Sequence, residues 1–141
     1  MKLQDQVTSV EISNKLKDLG IRVSSIFYRE WRGAKEDEVE MFEDGESHYY
    51  LDGVNCYTIA ELGEMLPSWS SVQNGNAMVD GVKLFISSRD DLPQENPKKV
   101  WEVAYSGPFG PLHPYYSDKL AEAIGQMLVY LLENKLINSN A

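Results

Sequence analysis

The last twenty-odd residues constrain this chain more than any other feature. From a cap at Ser117 or Asp118 to about Lys135, Leu120, Ile124, Met127, Leu128 and Leu131 recur at helical spacing, with Val129 and Leu132 widening the stripe. Such a helix needs cover on more than one side, either from the rest of the chain or from a dimer seam. A chain of 141 residues is long enough to provide one core around it. Leu66 is followed by Pro67, and the tail from Asn138 to Ala141, like residues 1–6, is expected to fray.

Two shorter helices carry boundary signals of their own. Thr8 and Glu11 have the spacing of a capping box flanked by Val7 and Ile12, and Gly20 stands where a left-handed residue closes a helix over Ser9–Leu19. Thr58 and Glu61 repeat the box, with Tyr57 and Leu62 as the staple of a helix over Ile59–Leu66. Between them, residues Ile21–Trp31 and Glu38–Phe42 read as a hairpin around a turn at Arg32–Asp37. Ser68–Gly81 is polar, with an Asn74-Gly75 turn signal able to close a short hairpin. Val82–Ser88 alternates Val82, Leu84 and Ile86 inward, and Lys99–Ser106 alternates Trp101, Val103 and Tyr105 inward, joined by a charged loop over Arg89–Lys98. Ser106–Tyr116, with three prolines and two glycines, reads as irregular.

The expected fold is therefore α+β: a single domain over residues 1–141, in the order α-β-β-α-β-β-α, with an antiparallel sheet of about four strands covered by helices. Gly63-Glu64-Met65-Leu66 echoes Gly125-Gln126-Met127-Leu128, a hint that the two halves arose by duplication.

Charge narrows the function classes. Thirteen Lys and Arg against 22 Asp and Glu leave a net charge of −9, so no basic face is available to displace phosphate counterions and direct nucleic-acid binding is not expected. Glu36, Asp37, Glu38, Glu40, Glu43, Asp44 and Glu46 concentrate acid with no base between them. That run reads as the solvated face of an edge strand, as a docking surface for a basic or nucleic-acid-binding partner, or as a divalent site using Glu43, Asp44, Glu46 and His48, although the spacing of an EF-hand loop is missing. The second candidate is the proline loop, which either presents Phe109, His113, Tyr115 and Tyr116 rigidly to a partner or folds Phe109 and Tyr115 back over the end of the core, with Trp69 the tryptophan most suited to contact a partner. Trp101 reads as core and Trp31 as the half-exposed end of its strand.

Catalytic chemistry finds little purchase. Cys56 precedes the second helix, but only His48 and His113 exist as bases, and no nucleophile elbow, P-loop or G-x-G-x-x-G is present. One cysteine and two histidines cannot build a closed zinc site of four Cys and His ligands, so no catalytic residue, metal or cofactor is assigned. A lone cysteine fits a reducing cytosol, Met1–Asp5 lacks the apolar run of a signal peptide, and no stretch reaches the roughly 20 apolar residues of a membrane span.

Tyr57-Thr58-Ile59-Ala60-Glu61-Leu62-Gly63-Glu64-Met65-Leu66-Pro67, the strand Val100-Trp101-Glu102-Val103 and the closing helix from Leu120 to Glu133 resemble small uncharacterised phage and prophage proteins. The closing helix is similar to that of the phage αβα-sandwich domain group, and the resemblance in element order runs over about residues 8–137. It implies a mobile-element origin and the cytoplasm of a bacterium, and it supplies no catalytic residues. The leading expectation is a non-catalytic accessory protein that contacts a host or phage protein, helped by its acidic surface. The alternative is a binder of a small nucleotide-like ligand, with an enzyme behind both, and a homodimer is compatible with the width of the last helix.

Overall fold

The computed structural model describes residues 6–21, 27–30, 40–41, 53–74, 77–90, 99–107 and 110–137. The α+β class holds. The order is α1 (Val10–Asp18), β1 (Phe27–Glu30), β2 (Glu40–Met41), β3 (Gly53–Asn55), α2 (Ile59–Met65), β4 (Trp69–Asn74), β5 (Ala77–Asp90), β6 (Lys99–Gly107), β7 (Gly110–Ser117) and α3 (Leu120–Glu133). The strands form two antiparallel sheets, a small one in the order β2-β1-β3 and a four-stranded one in the order β4-β5-β6-β7.

The expected hairpin of the first half is present as β1 paired to β2. The expected order lacked β3, β4 and β7. Its turn at Arg32–Asp37, the end of the strand at Trp31, the loop over 91–98 and both chain ends (1–5 and 138–141) lie outside the described residues.

Helix α3 organises the core. Ten of its fourteen residues are buried, because α1 and α2 pack against one side and β6 and β7 against the other. Its apolar width is thus largely consumed inside the chain. Val103 and Tyr105 of β6 and Val72 and Val82 of β4 and β5 complete the core. Tyr105 donates its phenol hydrogen to the Pro67 carbonyl at 2.7 Å, and burial drives its acidity far below that of a solvated tyrosine.

Capping explains where the helices begin. At α2 the expected box is complete: the Thr58 hydroxyl accepts from Glu61 N–H, and the Glu61 carboxylate accepts from Thr58 N–H. At α1 the cap moves one residue, from Thr8 to Ser9, whose hydroxyl accepts from Ile12 N–H. Thr8 is claimed by a buried node instead. Its N–H donates to the Tyr57 carbonyl at 3.0 Å, its hydroxyl accepts from Tyr57 N–H at 2.9 Å, and it hydrogen-bonds the Ser13 hydroxyl at 2.7 Å. Ser9 also binds the Glu122 carboxylate through both its N–H and its hydroxyl, joining the starts of α1 and α3. Gly20, at φ 95°, closes α1 as expected, with Ile21 N–H reaching the Leu16 carbonyl and Gly20 N–H the Lys17 carbonyl. Neither Ser117 nor Asp118 caps α3: Lys119 occupies that position without a side-chain cap, and Ser117 accepts from Lys119 N–H at 3.1 Å.

The largest correction concerns residues 106–116. Residues 106–107 and 110–116 are regular, since β6 continues to Gly107 and β7 begins at Gly110 and pairs with it, while 108–109 lie outside the described residues. Pro111 and Pro114 are tolerated because β7 is an outer strand, where a missing N–H need not break a ladder on both sides. A bulge opposes Ala104 to His113 and Pro114, with His113 at φ 50°. This extra residue shifts the alternation, so that Leu112 and Tyr115 both pack against the core. The short hairpin expected within Ser68–Gly81 is present, since β4 and β5 pair from Asn74 and Ala77 onward, while Gly75 lies outside the described residues. A second bulge sets Asp80 and Gly81, the latter at φ 68°, against Ser71 and keeps both Val79 and Val82 toward the core.

The inward alternation of β5 fails beyond Leu84: Ile86 is exposed, and Trp101, expected in the core, is half-buried where Ser88 and Ser117 flank it.

The two echoing glycines play opposite parts, against any inference from their similarity. A Cβ on Gly63 would meet nothing within 4 Å, whereas one on Gly125 would lie 2.6 Å from Cγ2 of Ile12 and 3.3 Å from Cγ2 of Thr8. Gly125→Ala should therefore destabilise by about 1–3 kcal/mol through overpacking. Gly63→Ala should stabilise by about 0.5–1 kcal/mol through helix propensity. Denaturant melts of the two variants check this, and equal effects would contradict the close approach of α1 to α3.

Candidate functional site

The four-stranded sheet has a core side and an open side, and cross-strand register fixes what the open side carries. Lys83 lies between Trp69 and Ser106 in one row, Phe85 beside Ala104 in the next, and Ser87, Glu102 and Tyr116 form the third. Directly paired residues share a face, so these residues form one surface across all four strands. Trp69 is 61% exposed, Tyr116 44% and Phe85 39%, and Met78, 50% exposed, lies on the same face nearer the β4–β5 turn. Clustered exposure of this kind is what distinguishes an interaction surface from scattered apolar residues. The Lys83 ammonium lies over the Trp69 ring, 5.9 Å from its centroid.

Glu102 stands in the middle of this surface. Strand β6 is covered on both sides along Glu102–Tyr105, and Glu102 is only 7% exposed. Its carboxylate makes no hydrogen bond or ion pair with the described residues. Its carboxylate oxygens keep some contact with solvent, since the one buried side-chain oxygen without a partner among the described residues is Asn14 Oδ1. Lys83 is placed over Trp69, and Ser106, its β6 partner, is four residues from Glu102, or about 13 Å along the strand.

A shallow groove of about 430 Å³ extends the surface past Trp69 along β4, bounded by Pro67, Ser70, Ser71, Leu136 and Ile137.

A second aromatic cluster lies on the core side of β7. The His113 ring centroid is 3.6 Å from that of Tyr130 on α3 and 5.3 Å from that of Tyr115. The β7 bulge and the left-handed backbone of His113 bring the imidazole onto the helix. Burial lowers the His113 pKa from 6.5, against a smaller opposing effect of a hydrogen bond to its own backbone. Burial, then the neighbouring Tyr130 and Glu133, raise that of Tyr115.

The residues singled out from sequence are thus divided. Trp69 and Tyr116 belong to the open face, His113 and Tyr115 to the cluster on α3, and Phe109 lies outside the described residues. Of the acidic run, Glu40 is a backbone partner of Tyr28 in the small sheet, while Glu36, Asp37, Glu38, Glu43, Asp44 and Glu46 lie outside the described residues, as does His48. Cys56 is fully buried just before α2. Among the described residues no three His, Cys, Asp or Glu side chains gather as a metal site, and no helix is long and apolar enough to cross a membrane. Phe85, Glu102 and Tyr130 were not anticipated. The β6 alternation does put Glu102 opposite Val103, but only the assembled sheet shows that this side is covered as well. Compared with protein families, curated proteins and solved structures, the chain matches none of them.

The lowered pKa of His113 has a stability consequence of definite sign. Below about pH 6.5 the unfolded chain takes up a proton that the folded chain resists, so stability is lost as pH falls from 6.5 through the folded value and is flat above it. His113→Asn, which tolerates a left-handed backbone, should lessen the drop in melting midpoint between about pH 7.5 and about pH 5. An unchanged pH profile would contradict the packing of a neutral imidazole on Tyr130.

Proposed function

We propose that this protein is a non-catalytic binding module that works by protein–protein contact through the open face of its four-stranded sheet. The observation that supports this most is the grouping of Trp69, Phe85 and Tyr116, all exposed, on one surface, with Glu102 beside Tyr116. Tryptophan and tyrosine provide large contact areas with few rotors and dominate the energetic centres of protein interfaces. The partner is a host or phage protein and the module a phage- or prophage-derived accessory of the bacterial cytoplasm, an origin suggested by the likeness of its helices. A net charge of −9 serves the same end, since long-range attraction raises the encounter rate with a basic partner. A small nucleotide-like ligand has less to recommend it. Lys83, a base of the face that could hold a phosphate, is already over Trp69, and the adjoining groove is shallow.

Native mass spectrometry of tagged protein recovered from a bacterial host should show an added polypeptide. Its retention should fall roughly tenfold or more in the Trp69→Ser/Phe85→Ser variant, whose melting point should stay close to that of the parent because both rings are exposed. Undiminished retention in the double variant, or an added mass of only a few hundred daltons on the parent, would overturn the reading.

A further inference from the structure

The open face carries a more specific inference, which rests on the protein–protein reading above. We infer that it takes a cationic side chain, an arginine or lysine from an extended basic segment of the partner, with the charge on Glu102 and the stem between Phe85 and Tyr116. Glu102 is 7% exposed and has no described partner, so a carboxylate stands among the rings of this face with no cation of the described residues on it. Tyr116 is its direct cross-strand neighbour, and Phe85 stands diagonally across, beside Ala104. A carboxylate between aromatic rings with a small alanine alongside suits a flat or slender cation, which gains an ion pair, ring-face attraction and apolar contact for its methylenes. The same face shows that attraction within the chain, where the Lys83 ammonium lies over Trp69. One carboxylate is too few ligands for a divalent cation, and an anionic ligand would meet Glu102 and a chain of net charge −9. A second copy of this acidic chain would be repelled at long range for the same reason.

Loss of cation affinity without loss of stability separates a binding role from a structural one. Glu102→Gln should melt within about 2 °C of the parent while binding the cation more weakly. The probe is the peptide acetyl-(Ala-Arg)3-amide, titrated into the whole chain and followed by amide chemical shifts. Shifts should centre on Phe85, Glu102, Ala104 and Tyr116. The dissociation constant should rise tenfold or more in Glu102→Gln and less than twofold in Glu64→Gln, which removes an exposed acid on α2.

Equal peptide affinity in Glu102→Gln and the parent, or shifts confined to other parts of the molecule, would overturn the inference. If in that case the cellular partner is still lost from Trp69→Ser/Phe85→Ser, the interface stands and only its cationic occupant is wrong. If neither variant matters, the interface falls as well. Concentration-dependent dimerisation abolished by Lys83→Met would make a second copy the occupant, and would equally overturn the inference.

Discussion

The burial of α3 on two flanks is the constraint from which the rest of the structure follows. A helix with ten of fourteen residues buried requires cover on two flanks, and α1 and α2 supply one while β6 and β7 supply the other. The described helices are thereby committed to the core side of the four-stranded sheet. Close approach of α1 is possible because Gly125 has no side chain to meet Ile12 and Thr8. The buried node of Thr8, Ser13 and Tyr57 and the Ser9–Glu122 bonds fix how α1, α2 and α3 begin relative to one another. What this arrangement leaves over is the second face of the sheet, and that face holds Trp69, Phe85 and Tyr116 in the open.

Two bulges reconcile core packing with that surface. Each inserts a residue in the left-handed region, Gly81 in β5 and His113 in β7, and each resets the alternation. Val79 and Val82, and likewise Leu112 and Tyr115, therefore all reach the core although a strict period of two would separate them. After the second bulge Tyr116 necessarily faces away from α3, into the row of Glu102 and Ser87. Sheet geometry, rather than any loop, thus assembles the proposed site from four strands.

Much of this was legible in the sequence where local chemistry decides structure. Thr58 and Glu61 mark α2 because a capping box needs only those two side chains and their own backbone, and Gly20 marks the end of α1 for an equally local reason. The Thr8 cap was misplaced by one residue because a contact 49 positions away, with Tyr57, outbids the local one. Strand β7 was hidden by Pro111 and Pro114, whose effect depends on whether the strand is central or outermost, which is a property of the assembled sheet. The site was half legible. Trp69 and Tyr116 stood out as aromatic residues in polar or proline-rich surroundings. Glu102 did not, because an acid in an alternating strand looks like an outward solvated residue until both faces of that strand are known to be covered.

Photo-crosslinking from position 85, with Phe85 replaced by p-benzoylphenylalanine and the protein held in its cellular setting, tests the central claim most directly. The account predicts a crosslink to a partner segment with arginine or lysine next to the captured residue, and no comparable product from the same probe at Glu64 on α2. Crosslinks to an acidic or wholly apolar segment, or equal products from both positions, would contradict it.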